Sequence, residues 1–404
     1  MDYHSWKKVF AIIWSGQFVS IMSSTIVGFA VVLWLSIETG SAEVLAFATI
    51  AHLLPHALVS PFAGVYVDRW SRKWTMIGSD AFISVCTLAL AFMFFLGYTN
   101  IIYMYILLLL RSLGSAFHSP AMQASVPLLA PKEHLVRIAG INQMIQSIAA
   151  IAGPVVAAIL IQTMDIAYIM LIDIGGAIVA CVTLLFVTIP NPAKKAKDEQ
   201  HFIREMKEGF TTVINQSGIN YLFLFSIIIM ICVVPIGSLF PLMTLNHFEG
   251  TPLQVGYVEV AWGTGMLIGG AFIGTYKRPF KKVTTINFMH IIGGLTFLTS
   301  GLLTKDGYII FLIVTWLGGI TYPVYNACFT SLIQETIAPE KLGRVFSMFI
   351  SASMFPSLIG LLLAGFVADI IGLPVTFAIL GSAMVITGLI SFLVPSMMAL
   401  DKRR

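Results

Sequence analysis

The sequence predicts an all-α integral membrane protein, with twelve transmembrane helices in two six-helix bundles related by a pseudo-two-fold axis. Three observations predict it. The hydrophobic fraction is 58% and the mean hydropathy +0.91, far above soluble globular chains of 404 residues. Apolar runs near the ~20 residues that a spanning helix needs follow one another from Val9 to Met398. An internal repeat recurs at an offset near 210 residues.

The runs place spans at 8–36, 42–67, 75–97, 100–128, 135–162, 166–189, 219–247, 252–276, 283–303, 307–334, 342–369 and 373–397. The first follows Lys7 and Lys8 but is too long for a signal-peptide core and has no small-residue cleavage site after it, so it is expected to remain as a helix. Cys86, Cys181, Cys232 and Cys328 fall singly in four different spans, which suits apolar packing and offers no metal spacing.

Charge sets the orientation. Of the 23 Lys and Arg, all but Arg111, inside span four, and Lys305 lie in loops on the side of the N-terminus. By the positive-inside rule both termini are cytoplasmic, and the chain is a multi-pass protein of a plasma membrane, bacterial by its resemblance below. The net charge of +4 is scattered over short loops, so no nucleic-acid partner is expected.

The longest polar stretch divides the chain into a bundle at 1–189, a cytoplasmic linker at 190–218 and a bundle at 219–404. Within the linker Phe202, Met206, Phe210 and Val213 share one helical face, as in a helix lying on a leaflet or in a solvated connector. GSAEVLAFATIAH from Gly40 aligns with GTPLQVGYVEVAW from Gly250, and Phe62 and Gly64 with Phe272 and Gly274. Six spans per copy leave both copies in one orientation, the parallel repeat of many transporters, with a cavity between the halves.

Between spans two and three the chain reads GVYVDRWSRK. Topology alone accounts for Arg69, Arg72 and Lys73 as a solvated basic loop, but not for Gly64 or Asp68. Gly64, Asp68, Arg69, Arg72 and Lys73 match G-x-x-x-D-R-x-x-R-K, and here the sequence resembles the major facilitator superfamily. In span five Gly140, Gly153 and Pro154 fit the glycine-rich pattern of drug antiporters, with Ala149, Ala157 and Ala158 where that pattern has glycine. Arg111 keeps one position of a span-four signature, while Gly114 and Ser115 depart from it. Stretches such as RSLGSAFHSPA, FIREMKEG and LGRVFS look like the macrolide-efflux subfamily.

The resemblance implies secondary export of a bulky hydrophobic or amphipathic compound, such as a macrolide, by proton antiport. The partners are then the bilayer, a small hydrophobic substrate and protons. The alternatives are transport of a physiological solute such as a nutrient, siderophore or lipid, or a membrane receptor or scaffold. The resemblance also implies that spans two and eleven face each other, so that Asp68 meets the N-terminus of span eleven and latches one state. It places the glycines of span eight against span five.

Charges within a bilayer are costly and mark function. Arg111 needs a partner or an anion, and Asp173, Glu259 and Asp80 are proton-coupling candidates or structural acids. His52 and His56, four apart in span two, are a titrating pair or packing residues. Family likeness assigns the cavity lining to spans one, four, seven and ten, which carry Trp14, Gln17, Arg111, His118, Phe240, Tyr322, Tyr325 and Asn326. Neither a hydrolytic triad nor a GxxxxGK[ST] phosphate loop occurs in the sequence, so the reading is a non-enzyme with no cofactor, no metal and no ATP bound by this chain.

Overall fold

The computed structural model describes residues 5–67, 70–129, 135–189, 210–275 and 281–402. Among the described residues twelve helices are long and apolar enough to cross a membrane. They are α1 (Ser5–Thr39), α2 (Ala42–Val67), α3 (Arg72–Phe95), α4 (Ile101–Leu129), α5 (Leu135–Thr163), α6 (Ile166–Leu185), α7 (Ile219–Leu242), α8 (Pro252–Thr275), α9 (Lys282–Leu302), α10 (Tyr308–Thr336), α11 (Pro339–Ile371) and α12 (Leu373–Phe392). Among the described residues there is no strand, as a bilayer demands of a chain that does not close a barrel. Each predicted span is found. The largest differences are at the ends of α7 and α12, which stop five residues before the end of the apolar run, whereas α1 and α11 run two to three residues past theirs at both ends. Hydropathy marks where a helix leaves lipid, whereas hydrogen bonding marks where it stops.

The chain forms two compact units. One comprises Met1–Glu38 and Phe47–Lys197, the other Thr39–Ala46 and Asp198–Arg404. Lipid tails are as apolar as leucine, so helices in each unit associate through close packing and internal polar contacts. In the first unit α6 is pressed onto α1, where a Cβ at Gly176 would lie 2.0 Å from Ser23 Oγ and one at Gly16 would lie 2.1 Å from Thr183 Oγ1. Gly114 meets α3 in the same way, at Ile83 and Phe82. Gly153 lies against Thr25 of α1, and α5 passes through Pro154 without a break.

In the second unit Phe240 is buried in an aromatic core with Trp262, Phe297, Phe311 and Phe377, ring centroids 5.9–6.3 Å away. Gly265 and Gly269 of α8 abut the backbone of α10 at Trp316 and Ile320. Their described role is thus close packing within their own unit. The first turn of α2 belongs to this unit too, where the Asp369 carboxylate on α11 receives the Ala42 N–H at 2.8 Å and the Glu43 N–H at 3.0 Å.

Of the linker reading, 190–209 lies outside the described residues. Phe210 is exposed, and Val213 is buried in the core of the second unit with Ile219, Phe223 and Leu400.

Candidate functional site

Four helices of the first unit converge on Asp173. A carboxylate on α6 needs donors when buried, and the packing of α6 on α1 and of α3 on α4 supplies them. Asp173 Oδ2 is 3.0 Å from Arg111 Nη2 on α4. The same oxygen accepts from the Thr87 hydroxyl of α3 at 2.8 Å, and Oδ1 accepts from Ser24 of α1 at 2.5 Å. Thr87 in turn accepts from Arg111 Nη1. Asp173 is 1% and Arg111 8% exposed. Two of the four sequence candidates for intramembrane charge are therefore partners. The Thr87 and Ser24 hydroxyls fill the coordination and were not foreseen, because Ser and Thr are common in any membrane helix.

Antiparallel packing of α3 and α4 also brings Asp80 to His118, Oδ1 to Nε2 at 3.4 Å, with Asp80 buried. The distance suits an ion pair but not a well-formed hydrogen bond, and Asp80 Oδ2 has no protein partner among the described residues. His118, assigned by sequence to a substrate cavity, is thus an acid's neighbour.

Arg72 and Lys73 of the loop motif correct the expectation of a solvated loop. Arg72 is 8% exposed, and its Nη1 donates to the Ala124 carbonyl of α4 at 2.7 Å. Lys73 Nζ donates to Leu185 and Val187 carbonyls at 3.0 and 2.8 Å, placing a cation at the C-terminus of α6. Unpaired carbonyls at helix ends attract these groups more strongly than the loop position suggests. Asp68 and Arg69 lie outside the described residues, as do the side-chain positions at Gly64 and Gly140.

His52 and His56 meet α4 through their backbones, and the His56 Nδ1 lies 3.4 Å from the Ser60 hydroxyl. The Ser112 hydroxyl of α4 donates to the His52 carbonyl and accepts the His56 N–H at 3.1 Å. It stands between two groups that an unbroken helix pairs with each other, one residue after Pro55.

The other cavity candidates divide. Trp14 is buried, stacks on Phe10 with centroids 4.1 Å apart and donates to Asn142 of α5. Gln17 is fully buried with neither amide atom partnered among the described residues. Tyr322 and Tyr325 border a small cavity in the second unit, and Asn326 is exposed. Glu259 is half-buried on α8, one turn before Trp262. Among the described residues no group of three or more His, Cys, Asp or Glu is arranged to hold a metal.

The family profile described as Major Facilitator Superfamily matches residues 13–306. The chain belongs to the major facilitator superfamily. It is 36% identical over 400 residues to "Macrolide efflux protein A" of Streptococcus pyogenes, covering 99% of each chain. To the protein of that name in Enterococcus faecalis it is 38% identical over 310 residues, covering 76% of this chain and 96% of the relative. "Multidrug efflux pump Tap" of Mycobacterium bovis is 26% identical over 402 residues, with 95% and 93% covered. Among solved structures, a bacterial homologue of the iron transporter ferroportin, inward-facing, aligns with a TM-score of 0.74 at 15% identity, over 98% of this chain and 99% of its own. A bacterial homologue of the human lysosomal transporter Spinster aligns with 0.72 at 11%, over 100% and 98%. The fold is that of this superfamily, and the chain is a multi-pass membrane transporter, not an enzyme. In this major facilitator fold, the Arg111–Asp173 cluster sits inside one of the two helical units.

Proposed function

We propose that this transporter exports a bulky amphipathic compound of the macrolide class, with alternating access driven by proton antiport. The cytoplasm then lies on the side of the basic loops and both termini. The observation that carries the reading is the buried Arg111–Asp173 pair, joined through Thr87 and Ser24 to four helices. A charge pair out of water persists only while both members are charged. A proton delivered to Asp173 cancels the attraction, frees Arg111 and loosens α4 from α6 and α3, so that proton binding acts on helix packing. The macrolide-efflux relatives support the substrate class. Asp80 with His118 is the second acid able to carry a proton, and Glu259 the third.

The test is accumulation of a fourteen-membered macrolide in cells with and without the protein, repeated with a protonophore. Expression should lower accumulation, the protonophore should restore it, and Asp173→Asn should behave as the empty vector. Export that survives collapse of the proton gradient would rule out antiport. Unchanged accumulation of every macrolide would rule out the substrate class.

A further inference from the structure

A second group of buried polar atoms lies in the other unit, outside the charge network just described. His290 of α9 is 3% exposed, and neither ring nitrogen has a protein partner among the described residues. Its ring lies 5.1 Å, centroid to centroid, from that of Tyr325 on α10. The Tyr325 hydroxyl likewise has no hydrogen-bond partner among the described residues. Two helices thus bring three unpaired polar atoms to one place. Polar groups left so in an interior are costly, and native interiors pair them.

His290 and Tyr325 border a cavity of about 30 Å³, above the ~10–15 Å³ that one ordered water needs. Its other walls include Trp262, Phe297 and the thioethers of Met230, Met289 and Met384. A neutral imidazole offers one bare nitrogen and one N–H, and a phenol hydroxyl both donates and accepts. A ligand hydroxyl can donate to the bare nitrogen of His290 while accepting from Tyr325. A charged ligand has no counter-charge among the lining residues, and an apolar one leaves every polar group unpaired. Tyr322 is the one exposed residue of the lining, which marks the way in, and flexible methionine walls can re-pack around a larger alcohol.

We propose that His290 and Tyr325 form a hydroxyl-binding site within the second unit. Its ligand is an ordered water or a hydroxyl group of the exported compound. The second source rests on the export reading above, whereas the first does not.

The experiment uses the full-length protein in lipid nanodiscs and has two arms. The first is a density map fine enough to show ordered water, with a peak expected within hydrogen-bonding distance of a His290 nitrogen and the Tyr325 oxygen. The second compares binding of a hydroxylated fourteen-membered macrolide and its O-methylated derivative, followed by tryptophan fluorescence. A site that pairs a hydroxyl should prefer the parent compound at least about tenfold. His290→Phe and Tyr325→Phe should erase that preference, and His290→Gln should keep part of it. Tyr325→Phe removes one oxygen and keeps the packing, so it remains informative if His290→Phe fails to fold. A peak without a preference assigns the site to water, and a preference assigns it to the cargo. Absence of both overturns the proposal. If neither macrolide binds at all, the substrate class fails, and the map alone decides the hydroxyl site.

Discussion

The carboxylate of Asp369, near the end of α11, caps the first turn of α2 at Ala42: Oδ1 accepts its N–H at 2.8 Å, while Oδ2 takes Glu43 N–H at 3.0 Å and the Ser41 hydroxyl at 2.7 Å. The opening N–H groups of a helix have no partner within it, and an acid there also meets the positive end of the dipole. Gly365, one turn earlier, leaves room for Ala46 and the Ala42 carbonyl. Asp369→Ala should cost about 1–2 kcal/mol, read as a lower Tm of the purified protein. Asp369→Asn should cost less, because its amide oxygen still accepts. Equal Tm values for wild type and the alanine variant would show that solvent replaces the cap at no cost.

The Arg111–Asp173 pair predicts strong non-additivity. Arg111→Met or Asp173→Leu alone leaves a charge buried without its counterpart, at about 3–5 kcal/mol. The double variant removes both charges and should be more stable than either single one, although export is lost in all three. A double-mutant cycle on thermal unfolding measures the coupling. A double variant as unstable as the sum of the singles would show that the two side chains act independently.

Adjacent glycines on α6 predict opposite outcomes. A Cβ at Gly175 meets nothing within 4 Å, whereas one at Gly176 runs into Ser23 and Val19 of α1. Gly175→Ala should be neutral or gain up to about 1 kcal/mol from helix propensity. Gly176→Ala should cost about 1–3 kcal/mol by overpacking and weaken the Ser24 contact to Asp173. Matching Tm shifts and matching export from the two variants would refute the packing account.

Lys305 hydrogen-bonds to Glu249 on the surface and holds its carboxyl below the usual range. The sign follows from linkage. A depressed carboxyl contributes stability above its unfolded value of about 4.3, and that contribution is lost as pH falls through the lower folded value. Both side chains are exposed, so the effect is small and screened by salt. Glu249→Gln should lower Tm slightly near neutral pH in dilute buffer, and the difference should vanish at strongly acid pH and in about 1 M salt. A difference that persists in acid would mean that the side chain stabilises by packing.

All twelve spans could be read from the sequence because hydropathy reports directly on what lipid requires of a helix. Arg111 and Asp173 were visible for the same reason, since ionised groups in apolar runs announce their cost. Their pairing was not visible, because it depends on how Gly176 and Gly114 let α6 and α4 approach their neighbours. Arg72 and Lys73 were misread because a basic loop looks alike in sequence whether it is solvated or binds carbonyls of α4 and α6. His290 was missed, although it is an ionisable group in the apolar run of α9 and the rule that found Asp173 would have found it. Asp369 lies where a span meets the headgroups, and acids at that depth carry no signal.

Ser112 gives the charge network a mechanical neighbour. The residue after Arg111 in the chain supplies the hydroxyl that sits within the backbone ladder of α2. The two side chains project from the same turn of α4. A roll of α4 that drew the guanidinium off Asp173 would also draw that hydroxyl away from the His52 carbonyl and the His56 N–H, which couples the buried charge pair to the backbone of a different helix.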